Sequence, residues 1–541
     1  MGSVQGKRTF LLGLILLFGF FSYFYPFSGE DLFAQIRRPG ARPKSEFPEE
    51  KSQPEISQRL IIAQGTDAAT RDAHHVVDSP TDTILSHMVE TLLELTPKGE
   101  IIPKLAEKWE VSADATVFTL RLKKGIKFHD GQPFNAEAVR INFDRRLDPN
   151  AGTKFDFLVS QIASVAALDE YTVAFKTKIP FAPLLSHLTH TANGIQSPAA
   201  LRRSWDKPLI MPIGTGPFIY KEWVPGKKLV MVRNDNYWDK APSLQEVTFR
   251  VIPDDVSRVT ALEKGEVHVA VRIPPFDLPR LESNSKLTIL HTPSLRTVYV
   301  GFNCLKEPFT DKRVRQALNY AVNKEAILKD LLGGAGRISD APISPGIFGY
   351  TPIKSYEYDV ERAKALLAET GFSGGFETTL HPAVGRYYMD ASVATAVVVD
   401  FLKVGVKAEI QRMEWGTYLP FVLREKETAE HELYILGWQT ITGDADFGLF
   451  SLFHSGEWPT KGMAASFYKN EKVDQLLELA RGSANPNERR RLYKEAMTLI
   501  VDDAPWIFLY SESQATGVRA NVRGMMVHPK EIVISREAWI E

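Results

Sequence analysis

RVRQALNYAVNKEAILKDLLGG (residues 313–334) carries apolar residues at Val314, Ala317, Leu318, Ala321, Val322, Leu328, Leu331 and Leu332, and it stops at two glycines. Spacings of three and four gather these side chains on one helical face, and Gly333-Gly334 supplies the left-handed stop that helices favour. The pattern predicts one long helix with a buried face. Elsewhere the period changes. VFTLRL (117–122) and VTFRVI (247–252) alternate apolar and polar residues, as half-buried strands do. Asn485-Pro486-Asn487-Glu488 offers an N-cap, a proline at the first helical position and a capping-box acid, ahead of a stripe of Leu492, Ala496, Leu499 and Ile500. Strands interleaved with amphipathic helices make this an α/β chain, with strands too irregularly placed for a simple barrel.

At 541 residues, 44% of them hydrophobic, the chain exceeds what one core supports, so at least two lobes are expected. Lys+Arg number 65 against Asp+Glu 66, a net charge of −1, which excludes a broad electrostatic footprint for a nucleic-acid backbone. Lys7-Arg8 precede an apolar run at 10–27, the pattern of an export signal, and Leu32-Phe33-Ala34 offers a cleavage site before Gln35. The run is also close to the length that spans a bilayer, so residues 1–34 are a signal peptide or an N-terminal anchor. Residues 35–58, rich in Pro, Arg, Lys and Glu, read as a linker. Cys304 is the only cysteine, which leaves neither a disulfide framework nor a lipid-bearing cysteine after the signal. These features fit a periplasmic protein, either free or held to the inner membrane by an uncleaved N-terminal segment.

Motifs for chemistry fail one by one. Gly226-Lys227 lacks the phosphate-loop glycine at position 221, which is Lys221. Gly214-Thr215-Gly216-Pro217 has no third glycine at dinucleotide spacing and reads as a tight turn. His431-Glu432 has Ile435 where a zinc protease needs its second histidine, no Gly-x-Ser-x-Gly occurs, and His74-His75 reads as a polar loop pair. No catalytic residue, metal site or cofactor is expected. What remains is GWQTITGDADFGLFSLFHSGEWP (437–459), where Asp444 and Asp446 share a face of an extended chain. Three functional roles compete: an acid/base pair served by His454, a calcium loop that lacks its regular ligand offsets, or carboxylates with aromatic walls for an amine-bearing solute. Turn-forming and helix-capping aspartates are the structural alternative.

Longer blocks are more specific. IPKLAEKWEVSADATVFTLRLKKGIKFHDGQPFNAEAVRINFDR (102–145), GTGPFIYKEW (214–223), VRNDNYWDKAPSLQEVTFRVIPDD (232–255), FTDKRVRQALNYAVNKEAIL (309–328) and APWIFLYSE (504–512) resemble the extracytoplasmic solute-binding proteins of dipeptide, oligopeptide, nickel and glutathione ABC importers. The resemblance runs from about residue 59 to the C-terminus. It implies two α/β lobes of the periplasmic binding protein fold joined by a hinge, and a protein that binds and delivers without chemistry. Lobe I would span 59–297 with an extra subdomain at about 95–212, lobe II 298–508, and 509–541 would return to lobe I. The implied partners are a small peptide-like solute and the permease and ATPase subunits of an inner-membrane importer; a monomer without nucleic acid is expected. TGDAD (442–446), LFHSGEWP and SFYKNEKVDQLL look nearest the glutathione-binding subgroup. Dipeptide-binding members carry an amine-pairing aspartate three residues after the Gly-Trp tryptophan, where this chain has Ile441. HPAVGRYYMD (381–390) is similar to a variant found in other dipeptide-type relatives.

A solute with both amine and carboxylate then suggests the site. Asp444 or Asp446, in the same stretch as Thr442, would take the amine, Arg386 beside Tyr387 and Arg296 would form carboxylate forks, and Trp438 and Trp415 would cap the pocket. Arg296 is expected at the entry to a strand over 297–302. The alternatives are a ligand-binding sensor or chaperone on the same scaffold, and import of a non-peptide solute such as a nickel chelate or an opine.

Overall fold

The computed structural model describes residues 57–354 and 356–541. The signal or anchor expected at 1–34, and all but the last two residues of the 35–58 linker, lie outside the described residues. In chain order the main strands are β1 (Arg59–Gln64), β2 (Phe218–Val224), β3 (Lys228–Arg233), β4 (Glu246–Val251), β5 (Val269–Ala270), β6 (Leu287–Phe302), β7 (Glu377–Val384), β8 (Lys407–Ile410), β9 (Leu433–Gln439) and β10 (Trp506–Arg519). Side by side they run β8-β7-β9-β6-β10-β5-β1-β4-β3-β2, with Gly336–Ile338 added beside β10 and Met413–Glu414 beside β7.

Two of these strands do the joining. β6 and β10, 16 and 14 residues long, pair antiparallel along almost their whole length. Residues 287–293 of β6 face 513–519 of β10, the part of β10 that also pairs with β5 and so reaches β1 and β4. Residues 297–302 pair with the start of β10 on one side and with β9 on the other, and so reach β7 and β8. A register shift between Pro293 and Thr297 separates the two halves. The β6–β10 ribbon therefore connects two bodies of sheet.

Alternation along the ribbon decides which helices cover it, because successive side chains point to opposite faces. Val298, Val300, Ile507 and Leu509 pack with helix α1 (Lys312–Ala321). Tyr299, Trp506 and Phe508 pack on the other face with α2 (Ala445–Phe453), α3 (Glu471–Gly482) and α4 (Pro486–Asp503), and Tyr299 stacks on Trp506 with ring centroids 3.4 Å apart. A separate antiparallel sheet of Ala106–Val111, Val117–Leu122, Thr172–Thr177 and Ile162–Asp169, taken in spatial order, closes its own core with helix Ala136–Leu147. Phe143 meets Phe175 edge-on there at 4.8 Å.

Four local expectations need correction or refinement. The single helix over 314–332 is broken: α1 ends at Ala321, Val322 is extended (φ −91°, ψ 122°), and Asn323 caps a new segment by accepting from the Ala326 N–H. The Asn323 N–H is itself held by Asp400 at 2.8 Å. Both pieces pack into the same core, so the apolar period continued across a break it could not reveal. α4 starts as its cap predicts, with Asn485 accepting from the N–H groups of Asn487 and Glu488, but Glu488 accepts from Ser483 instead of closing a capping box. Gly214 and Gly216 form a bend pressed on backbone: a Cβ would lie 2.2 Å from Met88 O at the first and 2.7 Å from His87 O at the second. His74 is no loop residue. It is fully buried, with Nδ1 3.1 Å from Arg145 and Nε2 3.1 Å from Gly194 O, and burial holds it neutral with a pKa of about 3.

Cys304 is half-buried against the same two cores, and desolvation pushes its thiol up to about 11.

Candidate solute-binding site

A cavity of about 1530 Å³ is lined from both bodies of sheet, by Gln64, Asp82 and Arg272 from one and by Arg386, Trp415 and Trp438 from the other. That volume exceeds the roughly 300–1,000 Å³ of ordinary small-molecule pockets and leaves room for a solute of several residues with water.

Arg386 stands in the loop after β7. Gly385, at φ +67°, turns the chain, and the Asp390 carboxylate accepts from the backbone N–H groups of Arg386 at 2.8 Å and Tyr387 at 3.4 Å. This holds the loop while leaving the guanidinium exposed in the cavity wall, 4.9 Å from the Trp415 ring and 5.7 Å from the Tyr387 ring. Among the described residues no carboxylate lies within 4.0 Å of it. An arginine stacked on an aromatic face with its N–H groups unpaired is arranged to receive a carboxylate. Tyr387 is buried and donates its hydroxyl to Gly437 O. Trp438, on β9, continues the wall through Phe447 at 4.9 Å to Phe157, which stacks on Phe447 at 4.6 Å.

Arg296 also lines the cavity, but it is already paired. It lies within β6 rather than at its entry, beside the register shift, with Nε 3.3 Å from Glu512 and Nη2 3.1 Å from Glu531. Burial opposes ionisation of Glu531, yet the charge and hydrogen bonds of Arg296, with the Ser294 hydroxyl, hold its carboxyl below the ordinary range. Glu512 moves the other way because it is buried beside Glu531. This is a correction: Arg296 is a structural ion-pair centre and not a free fork.

Thr442, Asp444 and Asp446 are likewise corrected, since none of them lines the cavity. Thr442 is fully buried and its hydroxyl accepts from Asp444 N. Asp444 is the N-cap of α2, accepting from Asp446 N at 3.0 Å, and it takes a 2.8 Å bond from Arg489. Asp446 accepts two 3.0 Å bonds from Arg481. The two-residue spacing is that of a capping turn, and both carboxylates are closed by arginines. His454 pairs with Glu478 at 3.2 Å, so it forms no acid/base couple with Asp444. Among the described residues no group of three His, Cys, Asp or Glu side chains is placed to hold a metal.

Ile441, which stands at the amine-anchor position of dipeptide-binding members, lines the cavity, and so do four residues that the sequence did not single out: Arg272, Asp82, His190 and Lys530. Ile441 gives the wall an apolar side chain where those members have a carboxylate. Arg272 takes a left-handed backbone conformation (φ 55°) and lies 5.2 Å from the Tyr388 ring. No periodicity or motif marks Arg272, Asp82, His190 or Lys530.

Comparison with known proteins agrees with this arrangement. Residues 100–460 match the family of bacterial extracellular solute-binding proteins, family 5, middle region. The chain belongs to this family. It is a family of solute-binding proteins of ABC importers and not a family of enzymes. The glutathione-binding protein GsiB of Pectobacterium atrosepticum is 32% identical over 481 residues, covering 88% of this chain and 93% of that protein. Among solved structures, HbpA2 from Haemophilus parasuis matches with a TM-score of 0.81 and 26% identity over 89% of this chain and all of that one. The ABC transporter-associated periplasmic binding protein DppA from Helicobacter pylori, in complex with the peptide STSA, matches at 0.74 and 28% over 89% of this chain and 98% of its own. The fold is therefore the two-lobed periplasmic binding protein fold, with the β6–β10 ribbon joining its halves. Among the described residues no helix is long and apolar enough to cross a membrane.

Proposed function

We propose that this protein captures a peptide-like solute in the periplasm, with Arg386 holding a solute carboxylate, and delivers it as a monomer to an inner-membrane permease whose ATPases power uptake. The carrying observation is a guanidinium over Trp415, in the cavity wall, with no carboxylate in contact among the described residues. The peptide bound in DppA and the glutathione-binding name of GsiB support a peptide-like solute, glutathione among the candidates. The protein itself does no chemistry in this reading. Its lobes are 59–297, 298–508 and a return at 509–541, the extra subdomain at about 95–212 contains the four-stranded sheet, and the N-terminal segment is either removed or kept as an anchor. Closure on the solute is the output: a shift from 1:99 to 99:1 in favour of the closed state requires about 5.5 kcal/mol of differential affinity. Two or three charge-assisted contacts supply most of that.

Mass spectrometry of solute released from protein purified without additions identifies the ligand class directly. Against that solute, Arg386→Ala is expected to weaken binding about ten- to a hundredfold, and the wild type should lose as much when the solute carboxylate is amidated. The melting temperature of the empty variant should stay close to wild type. Equal affinities for acid and amide in the wild type would remove Arg386 from the site, and a matching fall in empty-state stability would make it structural.

A further inference from the structure

Lys530 and Glu531 belong to the tight turn between the short strands Met526–His528 and Ile532–Ile534, and both line the cavity. Glu531 adopts φ 66° and its N–H bonds to His528 O at 2.8 Å, which closes the turn. Its side chain goes to Ser294 and Arg296, as described above. Lys530 has no such partner. It is only 8% exposed, yet its ammonium makes neither a hydrogen bond nor an ion pair with the described residues. Its backbone is fixed on both sides, with the N–H donating to His528 Nδ1 at 3.0 Å and the carbonyl accepting from the Gln439 amide at 2.9 Å.

Asp82 and His190 share that part of the wall. Asp82 is 5% exposed, its Oδ1 has no hydrogen-bond partner among the described residues, and its Oδ2 stands 3.8 Å from His190 Nε2, beyond hydrogen-bond reach. His190 Nδ1 accepts from Ala192 N at 3.1 Å, so the neutral ring keeps its proton on Nε2. Burial lowers the pKa of Lys530 while Asp82 and Glu94 oppose that shift. The side chain is nearly buried while its ammonium keeps access to the cavity, so the donors that the protein leaves unused there can be taken by an anionic group of a solute.

We infer that Lys530 receives a second carboxylate of the solute, apart from the one held by Arg386, so that the cavity selects solutes bearing two carboxylates over neutral peptides. This rests on the peptide-like reading above. Arg296 is already shared between Glu512 and Glu531, whereas Arg386 and Lys530 sit on different elements and neither has a counter-ion in contact among the described residues. Asp82 acts as a positioning residue that keeps Lys530 charged. Like-for-like acidic and amide solutes differ by one charge-assisted bond, a difference of about tenfold or more in affinity.

The test is calorimetric titration of the wild type, Lys530→Met and Lys530→Arg with two matched pairs: glutathione against its glycyl monoethyl ester, and Ala-Ala-Glu against Ala-Ala-Gln. The wild type is expected to bind the dicarboxylate member of at least one pair about tenfold or more tightly. Lys530→Met should lose that preference and bind the singly charged partner as the wild type does, Lys530→Arg should restore the preference, and the unliganded melting temperature of Lys530→Met should not fall. Three results overturn the inference while leaving the peptide reading intact: a wild type indifferent to the second carboxylate in both pairs, a Lys530→Met variant that keeps the wild-type preference, or one weakened equally for all four solutes. Were Lys530→Met not to fold, the wild-type comparison and Lys530→Arg would still decide. A wild type that binds none of the four refutes the peptide reading, and the inference with it.

Discussion

Asp444→Asn is expected to destabilise the unliganded protein by about 3–5 kcal/mol while leaving solute affinity nearly unchanged. Asparagine caps a helix as well as aspartate does, so the start of α2 survives and only the charge is lost. The Arg489 side chain, 7% exposed, also donates to Ala480 O and to the Tyr493 hydroxyl, and Asp444 is its single ionic partner among the described residues. Removing that partner strands a buried cation. Denaturant unfolding of the empty variant measures the loss, and calorimetry with the captured solute measures the affinity. Wild-type stability together with a lost preference for an amine-bearing solute over its N-acetyl analogue would put Asp444 back in the site. Asp446→Asn should cost less, because Arg481 is 16% exposed and keeps its contact with the Phe450 ring at 3.3 Å.

These two aspartates show where sequence reasoning stops. A spacing of two is shared by a paired site and by a capping turn, and the residues that decide between them, Arg481 and Arg489, lie 35 and 45 positions away. Arg296 is harder still, since its partner Glu531 is 235 residues distant. What could be read locally did emerge: the Asn485 cap, the alternation at 117–122, and the loop in which Gly385 and Tyr387 flank a cation. The break at Val322 and Asn323 could not, because a bond from Asp400 on another helix fixes it inside an unbroken apolar pattern. Family-length blocks gave the two-lobed architecture because many weak local constraints, each ambiguous alone, agree in order. The charge state of the cavity is the opposite case. The proposal for Lys530 rests on its lack of a partner among the described residues, and a missing contact leaves no mark on a sequence.

Arg296→Met is expected to cost about 3–5 kcal/mol at neutral pH and to change how stability responds to acid. In the wild type the arginine, 11% exposed, lies between Glu531 on the turn and Glu512 on β10, and its Nη2 also reaches Gln439 on β9 at 3.3 Å. It thus ties three segments together where β6 shifts register. Glu531 has a lowered pKa and contributes stability that is present above the ordinary carboxyl value and lost as pH falls through the lowered one. Glu512 is raised and works in the other direction. Without Arg296, burial and mutual repulsion act on both carboxyls, with Arg272 left as a more distant charge, so both should titrate above their unfolded value of about 4.3. The folded state then holds more protons than the unfolded one between that value and the raised ones, and stability must fall as pH rises through the window. Denaturant unfolding at pH 7.5, 6.5 and 5.5 should therefore show the gap between variant and wild type narrowing on acidification, and adding Glu531→Gln to the variant should close part of it at pH 7.5. A gap that stays constant with pH would mean that the two carboxylates find other partners, and that Arg296 stabilises β6 by packing and hydrogen bonds instead of by charge.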